Sequence, residues 1–185
     1  MMTIGHSTLS IEAFLRALRE NGVELLVDVR RYPGSRRHPQ FGQEALFASL
    51  REAGIEAAWR EGLGGRRAAR KDSVNTGWRE SSFRGYADYM QTEAFCREID
   101  WLVSQTPACA IMCAEAVPWR CHRSLIADAV LARGLPVDDL MVSADGRSVR
   151  KERRMTPFAR VDGTRVFYPP ETEELFPAEP ADGPE

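Results

Sequence analysis

Two short runs that are apolar almost from end to end, residues 24–29 (ELLVDV) and 108–114 (ACAIMCA), constrain this chain more than any other feature. A strand with one face in water alternates polar and apolar residues, whereas a strand covered on both faces reads as a continuous hydrophobic run. Each run is therefore read as a central strand of a buried parallel sheet. Parallel neighbours need long crossover connections, usually helices, and the sequence supplies them. Ile11, Phe14, Leu15 and Leu18 recur at helical spacing behind the N-cap candidate Ser10 and stop at Asn21-Gly22. Leu46, Phe47 and Leu50 repeat the pattern over 44–53, up to Gly54. Residues 86–90 and 93–104 read as helical, and Leu125, Ile126, Ala129 and Val130 mark a further helix closed by Gly134. Apolar segments at 2–6, 55–59 and 135–142 complete the strands, the third as the last strand of the sheet. Residues 156–168 read as a hairpin turning at Asp162-Gly163. The order β-α-β-α-β-α-α-β-α-β predicts an α/β fold: a mostly parallel sheet with helices on both faces and a small C-terminal hairpin extension.

The 185 residues suit one domain, taken as 1–170, followed by an acidic, proline-rich and flexible tail at 171–185. No apolar run approaches the ~20 residues of a membrane span. The start, MMTIGHSTLS, shows no basic or hydrophobic leader region, so the expected location is the cytoplasm. Four cysteines are too few for a disulfide scaffold, and thiols are expected in a reducing compartment. Without the six acids of the tail, the body carries 25 bases against 21 acids. Only Lys71 and Lys151 of those bases are lysine. Arginine recognises anions by bidentate hydrogen bonds. Codon bias also enriches it, so the excess carries weight only where arginines cluster.

One such cluster follows the second strand: Arg30, Arg31, Arg36, Arg37 and His38, with Ser35 among them. A second lies in the long loop 61–83, with Arg66, Arg67, Arg70, Lys71 and Arg79. In open parallel sheets, ligands bind outside the carboxyl ends of the strands. That rule brings together His6-Ser7, Asp28-Val29-Arg30 and Cys113-Ala114-Glu115. The clearest chemistry lies in CAEAVPWRCHR (113–123), where a strand ends in an acid, turns through a proline and enters a helix. A helix N-terminus binds anions and depresses a thiol pKa. Cys121 is then a candidate nucleophile or a structural thiol, and His122 its base or a general acid. Glu115 is a candidate general base, nucleophile or ion-pair partner. Arg123, Arg30, Arg36 and Arg37 are candidates for holding an anion, with Ser7 and Ser35 beside them. Asp28 would hold one of the arginines in place, and His6 is a candidate catalytic histidine only through its predicted neighbours. Cys113, Cys121, His122 and His6 have the softness zinc favours. Their spacing does not support it: there is no C-x-x-C pair, and adjacent Cys121 and His122 point in different directions on a helix. No metal is therefore assigned, and no cofactor is identified.

The segments TIGHS (3–7), VDVRRYPGSRRHPQF (27–41), LGG (63–65), YADYM (86–90), CAEAVPWRCHRSLIAD (113–128) and TPFAR (156–160) resemble the family called domain of unknown function 488. The resemblance runs through most of residues 3–168 and implies a compact bacterial or archaeal cytosolic α/β domain. It brings no known reaction. It implies that Gly5, His6, Asp28, Arg30, Pro33, Ser35, Glu115, Cys121, His122 and Arg123 share one site. Two departures stand out: similar sequences carry a few more residues before the first strand, and often a histidine where this chain has 151–154 (KERR). The expected function is an enzyme, a hydrolase or group transferase, acting on a small anionic, phosphate-bearing or nucleotide-like ligand. The alternatives are a nucleic-acid-binding module using both arginine-rich loops with Tyr32, Phe41, Trp59 and Trp78 for stacking, and a metal-stabilised accessory protein. Oligomeric state is not legible.

Overall fold

Leu25–Asp28 and Cys109–Cys113, the cores of the two apolar runs, lie side by side in parallel at the middle of the sheet. The computed structural model describes residues 1–34, 36–105 and 108–170. Its main sheet holds β1 (Met2–Gly5), β2 (Leu25–Asp28), β3 (Glu56–Trp59), β4 (Cys109–Cys113), β5 (Asp138–Val142) and β6 (Ser148–Glu152). Their order is β3-β2-β4-β1-β5-β6. The first five are parallel, and β6 runs antiparallel to β5. The helices are α1 (Ile11–Glu20), α2 (Gln43–Glu52), α3 (Ser81–Tyr89), α4 (Glu93–Val103) and α5 (Arg123–Leu131). A separate antiparallel hairpin joins β7 (Arg160–Asp162) to β8 (Arg165–Phe167).

Alternation along the strands divides the core into two layers. Ile4, Leu26, Ala110 and Met112 pack with Phe14 and Leu18 of α1 and Leu46 and Leu50 of α2. Val27, Cys109 and Ile111 pack on the opposite side with Tyr86, Phe95, Ile99, Leu102 and Leu125 from α3, α4 and α5. Burying a side chain of this size contributes about 1.5–3 kcal/mol, which is why β2 and β4 contain almost nothing polar. The cap of α1 is Ser10, as read from the sequence, and Thr92 caps α4 in the same way. Ser10 Oγ accepts from Ala13 N at 3.2 Å, and Thr92 Oγ1 accepts from Phe95 N at 3.3 Å.

Strands β1 and β4 are neighbours, yet β1 leads to α1 on one face and β4 to α5 on the other. The chain therefore parts to both sides between them, and a crevice opens at their carboxyl ends, the usual ligand position in such sheets.

Two elements differ from the sequence reading. The sheet does not end at β5: β6 adds a further edge strand. Its residues SVRKE are largely exposed and charged, the composition by which edge strands avoid further pairing, so no hydrophobic signal announced it. Helix α3 begins at Ser81, five residues before the reading placed it, because two serines and Gly85 are weak helix formers. A Cβ on Gly85 would stand 2.2 Å from the Arg67 carbonyl oxygen, so that glycine lets the loop cross the helix. The loop itself is tied down. Asp88 accepts from Ser73 Oγ (2.6 Å), Asn75 Nδ2 (2.9 Å) and Arg70 N (2.8 Å). Asn75 Oδ1 accepts from Tyr168 N, and Tyr168 donates its hydroxyl to Asp128 at 2.8 Å. A buried polar network thus joins the loop, α3, α5 and the C-terminal hairpin. No helix among the described residues is long and apolar enough to cross a membrane. The acidic tail at 171–185 lies outside the described residues.

Candidate active site

The strand ends meet as the parallel topology requires. His6 N donates to Cys113 O (3.0 Å), Ser7 N to Ala114 O (2.9 Å) and Val29 N to Met112 O (3.0 Å). A Cβ on Gly5 would lie 1.9 Å from Glu115 O, so the turn after β4 passes directly over that glycine. Beside these ends opens a cavity of about 580 Å³. Its walls come from the segment after β2, the loop after β3, the start of α3 and the turn from β4 to α5.

The cavity wall carries Cys113, Cys121 and His122. Residues Pro118–Arg120 form a 3-10 turn, after which Cys121 is extended (φ −129°, ψ 145°) and His122 is helical (φ −56°, ψ −15°). That change of backbone between neighbours turns both side chains to one side, which corrects the expectation that they diverge on a helix. Cys121 Sγ lies 3.6 Å from His122 Nδ1. His122 Nε2 lies 3.1 Å from the Val29 carbonyl oxygen, to which it donates, leaving the Nδ1 lone pair toward the sulfur. The Cys121 thiol is held well below the usual range by the hydrogen bond from Cys113, helped by the Arg123 charge, against the cost of burial. Cys113 is correspondingly pushed up, by that pairing and by burial. Cys109, by contrast, is pushed up to about 12 by burial and is an inert core thiol.

The predicted anion-holding residues separate into two groups. Arg30 is 6% exposed and forks onto Asp28, itself fully buried, at 2.6 Å, with its other amino group on Phe41 O at 2.8 Å. Although Arg30 borders the cavity, its donors are largely committed. Arg123 is 1% exposed and donates to Thr3 Oγ1 (3.3 Å) and to Glu115 O, leaving Nε unpartnered. It has no carboxylate partner among the described residues, and its charge favours ionisation of Cys113 and Cys121. His6 is buried, stacked on Phe41 with centroids 4.1 Å apart, and does not border the cavity. Ser7 lies beside it at φ 44°. Arg36 and Arg37 are exposed and are not among the cavity-lining residues. Ser35 lies outside the described residues. Glu115 is exposed and borders the cavity, with Oε1 accepting from Val117 N at 3.0 Å.

The arginines that do border the cavity besides Arg30 are Arg31, Arg66 and Arg120, and none makes an ion pair among the described residues. Arg31 and Arg66 flank the exposed ring of Tyr32, their guanidinium carbons 5.9 and 5.6 Å from its centroid. Arg31 also donates to Arg66 O at 3.2 Å, which links the two loops.

A family model described as domain of unknown function DUF488 matches residues 10–130. The chain belongs to the DUF488 family. Comparison with curated proteins and with solved structures finds no match. The DUF488 region includes every described residue that borders the cavity, from Arg30 to His122. It stops short of β5, β6 and the terminal hairpin.

The segments read from the sequence of this DUF488 chain border the cavity, but Arg36 and Arg37 do not, and Arg31, Arg66 and Arg120 do. Arg31 and Arg66 were seen only as members of runs, and Arg120 only as part of the signature segment. Irregular loops have no periodicity from which a side chain's direction can be read. The useful signal was the pair of glycines at 64–65. A Cβ on Gly64 would lie 2.8 Å from Arg31 Cα, and one on Gly65 would lie 3.0 Å from His122 Nδ1. Both glycines therefore allow the second loop to close on the site.

Proposed function

We propose that this DUF488 protein is an enzyme, a hydrolase or group transferase, acting on a small phosphate-bearing or nucleotide-like substrate. One observation carries the reading: Arg31, Arg66 and Arg120, without carboxylate partners among the described residues, border the same cavity as Cys113, Cys121 and His122. Guanidinium groups without a counter-ion at the carboxyl ends of parallel strands favour a phosphate or carboxylate. A volume of about 580 Å³ falls in the range of small-ligand sites. The arginines hold the anion, the thiol–imidazole group supplies the reacting centre, and Glu115 exchanges protons at the mouth. Tyr32, 63% exposed and next to Arg31 and Arg66, offers a stacking surface for a base. The four free cysteines fit a reducing, cytoplasmic setting.

Tyr32 with Arg31 and Arg66 also favours a second reading, in which the cavity mouth holds single-stranded nucleic acid. Of the other expected stacking residues, Trp59 is exposed, with its indole N–H donating to Arg30 O at 2.9 Å, and two support the reading less. Phe41 is buried, and Trp78 is packed with Phe83, Phe158 and Tyr168. A thermal-denaturation screen with inorganic phosphate, mononucleotides, sugar phosphates and short oligonucleotides separates the two. A ligand at a hundred times its Kd raises stability by about 2.7 kcal/mol. The enzyme reading expects the largest rise with a monomeric phosphate compound. A rise with oligonucleotides alone would favour the second reading, and no rise with any anion would overturn both.

A further inference from the structure

We propose that Cys113, Cys121 and His122 bind a zinc ion whose fourth position opens into the cavity. Their ligand atoms, two Sγ and one imidazole nitrogen, all lie within 4.8 Å of one another. With Zn–S about 2.3 Å and Zn–N about 2.0–2.1 Å, a tetrahedral site places S and N about 3.6 Å apart and two sulfurs about 3.8 Å apart. The distance from Cys121 Sγ to His122 Nδ1 is 3.6 Å, already that edge. Small side-chain movements bring Cys113 to the same ion. The imidazole is oriented for ligation: Nε2 donates to Val29 O at 3.1 Å, so Nδ1 presents its lone pair. A backbone carbonyl in that position is the usual outer partner of a metal-bound histidine. All three residues border the cavity, and Gly65 has no Cβ to crowd Nδ1. Two thiolates and an imidazole with an open fourth position make a catalytic arrangement rather than a closed structural one, and two soft ligands favour zinc over magnesium or calcium.

Zinc binding stands apart from the identity of the substrate, whereas the role of the fourth position rests on the phosphate-enzyme reading. There a zinc-bound water would lose its proton to the Glu115 carboxylate. The resulting hydroxide forms a new P–O bond, and the leaving oxygen departs from phosphorus with the proton returned by Glu115. No co-reactant besides water is required.

The test uses the full chain, purified reduced and stripped of metal by a chelator, then titrated with Co²⁺ and with Zn²⁺ in competition with a chromophoric chelator. One equivalent of Co²⁺ is expected to give thiolate-to-cobalt charge transfer together with the visible bands of a tetrahedral site. Cys121→Ser and Cys113→Ser should each weaken zinc binding by about 100-fold or more, and His122→Gln by about 10-fold or more, while Cys96→Ser leaves it unchanged. Thermal denaturation of each metal-free variant distinguishes lost ligation from lost folding, and the wild-type cobalt spectrum needs no variant. Arg66→Ala separates the two claims: zinc binding should persist while the phosphate-induced thermal shift falls. Absence of one-equivalent binding, a cobalt spectrum without thiolate charge transfer, or equal binding by wild type and Cys121→Ser overturns the zinc site. Failure of the phosphate shift alone would leave it standing and overturn the substrate reading.

Discussion

Lowering the pH from about 7.5 to about 5 probes the way His6 is held in the fold. The ring is 2% exposed and stacked on Phe41. Its Nδ1 donates to Ser7 O at 3.0 Å, and its Nε2 lies 3.4 Å from Arg30 Nη1, from which it accepts. Both contacts suit the neutral ring. Burial first, and the Arg30 charge second, bring its pKa down from 6.5 to about 4. Between those values the unfolded chain binds the proton and the folded chain does not. The stability His6 contributes is therefore complete above pH 6.5 and is lost as the pH falls toward 4. The whole difference corresponds to about 3 kcal/mol, of which about 2 kcal/mol is gone at pH 5. Urea unfolding followed by tryptophan fluorescence at both pH values, on wild type and His6→Gln, isolates this contribution. The variant is less stable at neutral pH but should lose about 2 kcal/mol less on acidification, since titrating carboxylates act on both proteins alike. Equal losses in the two proteins would refute a neutral, buried His6.

Gly5→Ala forces a methyl group against the Glu115 carbonyl, a backbone atom that cannot swing away, and should cost about 3 kcal/mol in equilibrium unfolding; a change under about 0.5 kcal/mol would show that the turn after β4 does not rest on Gly5. Arg123→Gln should cost at least about 2 kcal/mol by denaturant titration, because the fully buried guanidinium holds Thr3 and the Glu115 carbonyl. Glu115→Gln should stay within about 0.5 kcal/mol by the same titration, as an exposed side chain whose carbonyl still accepts from Val117 N, yet abolish turnover; unchanged turnover would remove Glu115 from the chemistry. Tyr168→Phe takes one hydrogen bond from the buried Asp128 carboxylate and should lower stability by about 1–3 kcal/mol, with faster amide exchange over 66–75 as the loop loosens; unaltered exchange would uncouple the hairpin from the loop.

The fold was legible where one physical signal dominated. Residues 24–29 and 108–114 are short apolar runs of the kind that two-sided burial produces, and the carboxyl-end rule brought the ends of β1, β2 and β4 together, of which Glu115 borders the cavity while His6 and Asp28 do not. Strand β6 was not legible, since an exposed edge strand has no apolar pattern. The start of α3 was hidden by Ser81, Ser82 and Gly85, whose presence reflects the loop packed across the helix. The site was legible by segment and not by side chain. Arg30 and Arg123, read as anion-holding groups, direct most of their donors to Asp28, Phe41, Thr3 and Glu115, with Arg123 Nε left unpartnered. The meeting of Cys121 with His122 depends on one extended residue between a 3-10 turn and a helix, a backbone detail that no residue spacing encodes.

The proposed function stands on Arg31, Arg66 and Arg120 as an anion site in the cavity. Isothermal titration of the full chain with the phosphate compound giving the largest thermal shift tests it most directly, alongside Arg66→Ala, Arg120→Ala and Arg36→Ala. A charge-assisted hydrogen bond contributes about 1.5–3 kcal/mol, so each of the first two variants should bind about 10- to 150-fold more weakly. Arg36→Ala, at an exposed residue that does not border the cavity, should bind as wild type does. Unaltered affinity in Arg66→Ala and Arg120→Ala, or an equal loss in Arg36→Ala, would rule out an anion site at these arginines.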